Sequence, residues 1–189
     1  MLYLTKTVKA VFLLNICVFL ISWLVASTGL SLDGFALYPI WSGQFEMTQI
    51  FTHMFIHYSF IHLFFNMMCL ISFGPEIEEY WSDKRFIYLY LISGIGAAIV
   101  HLLFSNFSGP AIGASGAILG VMSCYTMIYP NRSVYLFGLI PIKTKWLFIF
   151  LIFGDFILAG TNDGIAHFAH LGGALTGILY WIFVKKFPV

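Results

Sequence analysis

The chain has 189 residues, of which 60% are hydrophobic and 9% charged, and its formal net charge is +1. A soluble domain carries about 25% charged residues, so lipid rather than water is the main solvent here, in keeping with a mean hydropathy of +0.93. A spanning helix takes roughly 20 apolar residues, so residues 1–189 hold about six spans in one domain, with no separate soluble domain, low-complexity tract or long linker, and no nucleic-acid partner is expected.

The first helix is predicted near 10–28. It is long enough to span and lacks a small-residue cleavage site, so it reads as a membrane helix and not as a cleavable signal. A loop over 29–59 follows, with Pro39 and a run of aromatics that includes Trp41, Phe45, Phe51, Phe55 and Tyr58. Such a loop either lies in the membrane interface or packs as an ordinary loop. The second helix, 60–80, opens with His62 and Asn66, four residues apart and so on one helical face. Both side chains donate hydrogen bonds. They read either as an oxyanion hole or as helix-to-helix contacts.

The third helix is predicted over 86–105, and the break "SNFSGPAIG" (105–113) separates it from a fourth over 115–129. From Ser115 to Pro130 the fourth helix is about 22 Å long, at ~1.5 Å per residue, against a hydrocarbon core of ~30 Å. Anchored at one membrane face, it stops short of the other, and Ser115 then lies at membrane depth on a helix N-terminus. First-turn amides there lack helical partners and carry partial positive charge, which suits a developing oxyanion. Irregular backbone before Ser115 at that depth requires a protected, wet cavity. The octet "GASGAILG" alone is also what a serine N-cap on a packing helix looks like.

The fifth helix is predicted over 144–160 and carries Asp155, to which no catalytic role is assigned. The sixth, 165–184, carries His170 near its start. Gly116 and Gly120 form a G-x-x-x-G face on the fourth helix, and Gly173 and Gly177 form one on the sixth. Such faces let membrane helices approach closely. Packing them together brings Ser115 and His170 together, the requirement of a Ser–His dyad; the other reading of His170 is a satisfied structural donor. No acid clearly completes a triad, and Asp163 lies seven residues before His170.

All nine basic residues fall on one side of this layout: Lys6 and Lys9, Lys84 and Arg85, Arg132, Lys143 and Lys145, and Lys185 and Lys186. The positive-inside rule makes that side cytoplasmic. Both termini are then cytoplasmic, and the second, fourth and sixth helices start at the outer face. Cys17, Cys69 and Cys124 lie in apolar runs and read as buried thiols, with no zinc spacing.

Together these motifs resemble the rhomboid family of intramembrane serine proteases. Gly113-Ala114-Ser115-Gly116 matches its G-x-S-G, and Ala169, His170, Gly173 and Gly177 match its A-H-x-x-G-x-x-x-G. His57, His62 and Asn66 match its H-x-x-x-x-H-x-x-x-N, and "FGPEIEEYW" (73–81) resembles its Gly-Pro and Glu signature. The resemblance implies an all-α, six-helix bundle with Ser115 as nucleophile and His170 as general base. It also implies oxyanion donors from His62, Asn66 and the Ser115 backbone. The implied partners are transmembrane protein substrates and membrane lipid, with no cofactor or metal. A bacterial inner membrane is the expected location. The family's Trp-Arg pair in the first loop falls at Thr48 and Gln49, so the loop is expected to lack that anchor, and Leu119 stands where relatives often place an aromatic beside the histidine.

Rival mechanisms fit less well. A zinc protease needs H-E-x-x-H, and between His53 and His57 the second position is Met54. An aspartyl protease of the presenilin type needs G-x-G-D, and position 152 before Gly154 and Asp155 is Ile152. A channel, a small transporter or an inactive rhomboid-like binding protein could use the same intramembrane His and Asn residues. A channel or transporter has no special need for G-x-S-G at a short helix's mouth, and inactive rhomboid relatives typically lose the Ser or the His, whereas Ser115 and His170 are both present.

Overall fold

A computed structural model describes residues 3–104, 110–136, 139–159, 161 and 164–186. Part of the predicted break (105–109), Gly160 and Asp163 lie outside the described residues. The elements run α1 (Lys6–Ser27), α2 (Gln49–Thr52), α3 (Phe60–Trp81), α4 (Asp83–Phe104), α5 (Ser115–Ile128), β1 (Ser133–Leu136), β2 (Ile140–Lys143), α6 (Thr144–Leu158) and α7 (His167–Lys186). A helix stands at each of the six predicted positions, shifted by a few residues. Four of them, α1, α3, α4 and α7, are long and apolar enough to cross a membrane. The other two are shorter, 14 residues for α5 and 15 for α6. The one-turn α2 and the β1–β2 hairpin are additions that the sequence reading does not contain.

The outward-facing surface explains the composition. Leu20, Ile21 and Leu24 on α1, Phe60, Ile61 and Phe64 on α3, Phe150, Phe153 and Phe156 on α6, and Leu175 and Leu179 on α7 are all exposed. An apolar surface this extensive is unsustainable in water and ordinary in lipid. The chain is an integral membrane protein.

Inside, the tight packing lies among α4, α5 and α7, where small residues remove the bulk between backbones. A β-carbon on Gly173 would collide with the carbonyl oxygen of Gly116, and one on Gly177 with that of Gly120. On the α4 side, one on Gly96 would collide with Thr176 and one on Gly120 with Ser93. The two G-x-x-x-G faces are therefore in direct backbone contact. Cys124 adds a contact from its Sγ to the Gly177 carbonyl at 3.1 Å.

The helix ends that carry the basic residues are tied together at one end of the molecule. Glu78 of α3, itself buried, caps the start of α1. Its carboxylate accepts from Thr5 Oγ1 at 2.6 Å and from the backbone N–H groups of Thr7 and Val8, each at 2.8 Å. An acidic group suits the donor-rich, partly positive start of a helix. Arg132 pairs with Glu76 at 2.6 Å, and Tyr180 donates to the Arg85 carbonyl at 3.1 Å. The N-termini of α3, α5 and α7 lie at the opposite end, which is where the candidate site forms.

Candidate active site

The first residue of α5 is Ser115, and the N-cap is Ala114, whose side chain makes no capping bond. The serine hydroxyl is thus not engaged as a cap. It donates instead to His170 Nε2 at 2.7 Å, across 55 residues of sequence. The turn before it depends on Gly113, whose φ of +113° is a conformation that side-chain-bearing residues rarely adopt. Space demands glycine there as well, because a β-carbon would lie 2.7 Å from the imidazole of His62.

The 29–59 loop holds this turn in place. Leu37 and Ala111 exchange two backbone hydrogen bonds, both 2.9 Å, and Gly113 N–H donates to the His53 carbonyl at 2.9 Å. The N–H of Ala114 donates to His57 Nε2 at 3.4 Å. His57 must therefore be unprotonated at Nε2, and burial agrees, pushing its pKa down to about 4. The family's Trp-Arg pair is absent, and Gln49, which stands at its second position, holds the loop in a different way. Its side chain, 1% exposed, accepts from Tyr38 N–H at 3.2 Å and donates to the carbonyls of Gly34 (3.1 Å) and Gln44 (2.8 Å). One neutral amide thus fixes three points of the loop.

Sequence reading gives His170 no acidic partner. In the structure Asp155 Oδ1 lies 2.9 Å from His170 Nδ1 and 2.7 Å from His167 Nδ1. An ionised carboxylate only accepts. With Asp155 ionised, His170 carries its proton on Nδ1 and presents a lone pair on Nε2 toward Ser115. The signal for Asp155 was present in the sequence, since a carboxylate inside a hydrophobic helix is costly and tends to have a partner. What the sequence did not supply was the rotation of α6 that aims it at α7. His167 is also the aromatic neighbour of His170, edge-on at 6.3 Å between ring centres.

Ser115, His170, His62 and Asn66 all line one cavity of about 460 Å³. His62 and Asn66 lie on the first two turns of α3, and Asn66 Nδ2 also donates to the His62 carbonyl at 3.0 Å. Phe65 and Cys69 of α3 line one flank and Leu151 of α6 another, while Leu119 lies on the α5 wall. Most of the lining is apolar, and Tyr58, His101 and Thr161 add polar side chains to those of Ser115, His170, His62 and Asn66. Among the described residues, Asp155, His167 and His170 are the one group of three ligating side chains that converge, with ligand atoms within 4.8 Å of one another.

Residues 44–187 match the family model described as the rhomboid domain. The chain belongs to the rhomboid family. It is 31% identical over 140 residues to Rhomboid protein 1, mitochondrial, of Saccharomyces cerevisiae, covering 70% of this chain and 40% of that protein. It is 35% identical over 133 residues to RHOMBOID-like protein 6, mitochondrial, of Arabidopsis thaliana (70% and 42%). To Rhomboid protease GluP of Bacillus subtilis it is 33% identical over 135 residues (71% and 25%). The matched region is half or less of each relative's length. Two of these rhomboids are mitochondrial by name, so membership supports an integral membrane protein without selecting the bacterial inner membrane.

Proposed function

We propose that this rhomboid is an intramembrane serine endopeptidase that cuts single-span membrane proteins. The observation that carries the proposal is the 2.7 Å contact between Ser115 Oγ and His170 Nε2 at the mouth of a cavity within a lipid-facing bundle. Ser115 Oγ attacks the scissile carbonyl carbon while its proton passes to His170 Nε2. The carbonyl oxygen becomes an oxyanion beside the first-turn N–H groups of α5, with His62 and Asn66 as further donors. Collapse of the tetrahedral species expels the amine, which takes the proton from Nε2. A water molecule, deprotonated by the same nitrogen, then releases the acyl group. Asp155 keeps the Nδ1 proton in place and faces the imidazolium that forms in each half-reaction.

The topology in this reading is six spans with both termini cytoplasmic, because the basic residues gather at one end of the bundle. The site then lies near the extracytoplasmic face. A spanning substrate must extend before its carbonyl can be attacked, and opening helical hydrogen bonds in lipid costs several kcal/mol per unsatisfied group. The wet cavity supplies replacement partners, so cleavage falls near the substrate's outer end, at segments with helix-breaking residues. The direct test is a serine-reactive fluorophosphonate. Wild type is labelled at Ser115, and labelling is lost in Ser115→Ala and strongly reduced in His170→Ala. Equal labelling of His170→Ala overturns the dyad.

A further inference from the structure

Two imidazoles meet at Asp155 in a way the reaction does not require. Catalysis needs only one imidazole beside this carboxylate, yet a second, His167, approaches the same oxygen at 2.7 Å and is itself buried. His167 and His170 are three residues apart on the first turn of α7, so both rings project from one face toward α6. The result is a convergent set of two imidazole nitrogens and one carboxylate oxygen, all within 4.8 Å. That N,N,O set with one open position is the donor chemistry of three-ligand zinc sites.

We propose that Asp155, His167 and His170 bind Zn²⁺, and that the bound ion switches the protease off; the inference rests on the assignment of His170 as general base. Tetrahedral ligands with bonds of about 2.0–2.1 Å stand about 3.3 Å apart. The oxygen-to-nitrogen separations of 2.7 and 2.9 Å must therefore widen by about half an ångström, and the two nitrogens, now within 4.8 Å of each other, must settle at the same spacing. His170 lines the cavity, so one of the three ligands borders open space, while Asp155 and His167 lie behind it.

The inhibition follows from the tautomer. In the resting site Nδ1 of His170 bears the proton and Nε2 accepts from Ser115. Coordination uses the Nδ1 lone pair, so the proton of the neutral ring sits on Nε2. His167 makes the same exchange, and no net proton is released. Nε2 then has no lone pair with which to take the Ser115 proton. Metal binding and base catalysis are mutually exclusive at one ring. A hard cation such as Mg²⁺ prefers oxygen ligands and retains its waters, so it leaves the enzyme active.

The experiment uses the purified full chain in detergent with two readouts. Co²⁺ replaces zinc as a spectroscopic probe, and its visible absorption reports a tetrahedral nitrogen-and-oxygen site independently of activity. Cleavage of a single-span substrate is titrated with Zn²⁺, with Mg²⁺ in parallel. The expected result is a cobalt band displaced by zinc, and inhibition by zinc but not magnesium that a chelator reverses. The variant His167→Gln keeps an amide donor for Asp155 but is a poor zinc ligand. It should cleave as the parent does without metal, lose the band, and need at least tenfold more zinc for half inhibition. Unchanged inhibition in His167→Gln, or no cobalt band in the parent, overturns the site. Should His167→Gln fail to fold, Asp155→Asn serves in the cobalt readout, where a retained band overturns it equally. A cobalt band with full activity overturns the switch. The underlying reading fails on a different result, cleavage by His170→Ala.

Discussion

Gly173 of α7 packs so closely on Gly116 of α5 that a single β-carbon would overlap the Gly116 carbonyl oxygen. This contact lies one residue after Ser115 and three after His170, so it bears directly on the spacing of those two side chains. Gly173→Ala should destabilise the fold by about 1–3 kcal/mol through overpacking and should reduce cleavage sharply. Gly154→Ala on α6 is the control, since nothing lies within 4 Å of its added carbon. Thermal unfolding and initial rates of both variants check this; equal behaviour would mean the glycine contact does not position the site.

The loss in His62→Ala and Asn66→Ala should be graded. Removing one oxyanion donor costs about 10²–10³ in kcat, and the remaining donors soften that loss. The effect should appear in kcat, because the bond forms with the transition state. A rise in KM alone would make these residues substrate-binding groups.

Acid should loosen the turn that carries Ser115. His57 titrates near 4 in the folded protein because it is buried, against about 6.5 in an unfolded chain. Its contribution to stability is therefore present above about pH 6.5 and is lost as pH falls toward 4. His53, also lowered to about 4 by burial, acts in the same sense. Thermal unfolding of the parent should weaken over this window, and His57→Gln, whose amide oxygen can accept from Ala114, should show a smaller pH dependence. Identical slopes in the two proteins would remove His57 from this role.

Substrate should enter between α3 and α6. The cavity has Cys69 on one of these helices and Leu151 on the other, and α6 presents Trp146, Phe150, Phe153 and Phe156 outward. Joining Cys69 to Leu151→Cys with a bifunctional maleimide, in a background lacking Cys17 and Cys124, should block cleavage of a spanning substrate. Undiminished cleavage with the link fully formed would move the entrance elsewhere.

The sequence exposed those parts of the site that follow from local spacing. His62 and Asn66 share a helical face because they are four apart, and Gly116, Gly120, Gly173 and Gly177 declare a close approach by their period. What it concealed depends on rotation and on tertiary hydrogen bonds. Asp155 looked isolated because its partners lie 12 and 15 residues away on another helix. The anchoring role of Gln49 was hidden because its three partners are backbone groups, which no motif records. The β1–β2 hairpin was missed because four-residue strands between helices carry too little alternation to be read.

The most direct test of the central claim is product analysis by mass spectrometry for a single-span substrate incubated with purified wild type and with Ser115→Ala, each with and without a chelator. The account predicts one cut near the substrate's extracytoplasmic end by wild type, undiminished by the chelator, and no cut by a Ser115→Ala protein that remains folded. Cleavage at the same bond by Ser115→Ala would contradict it.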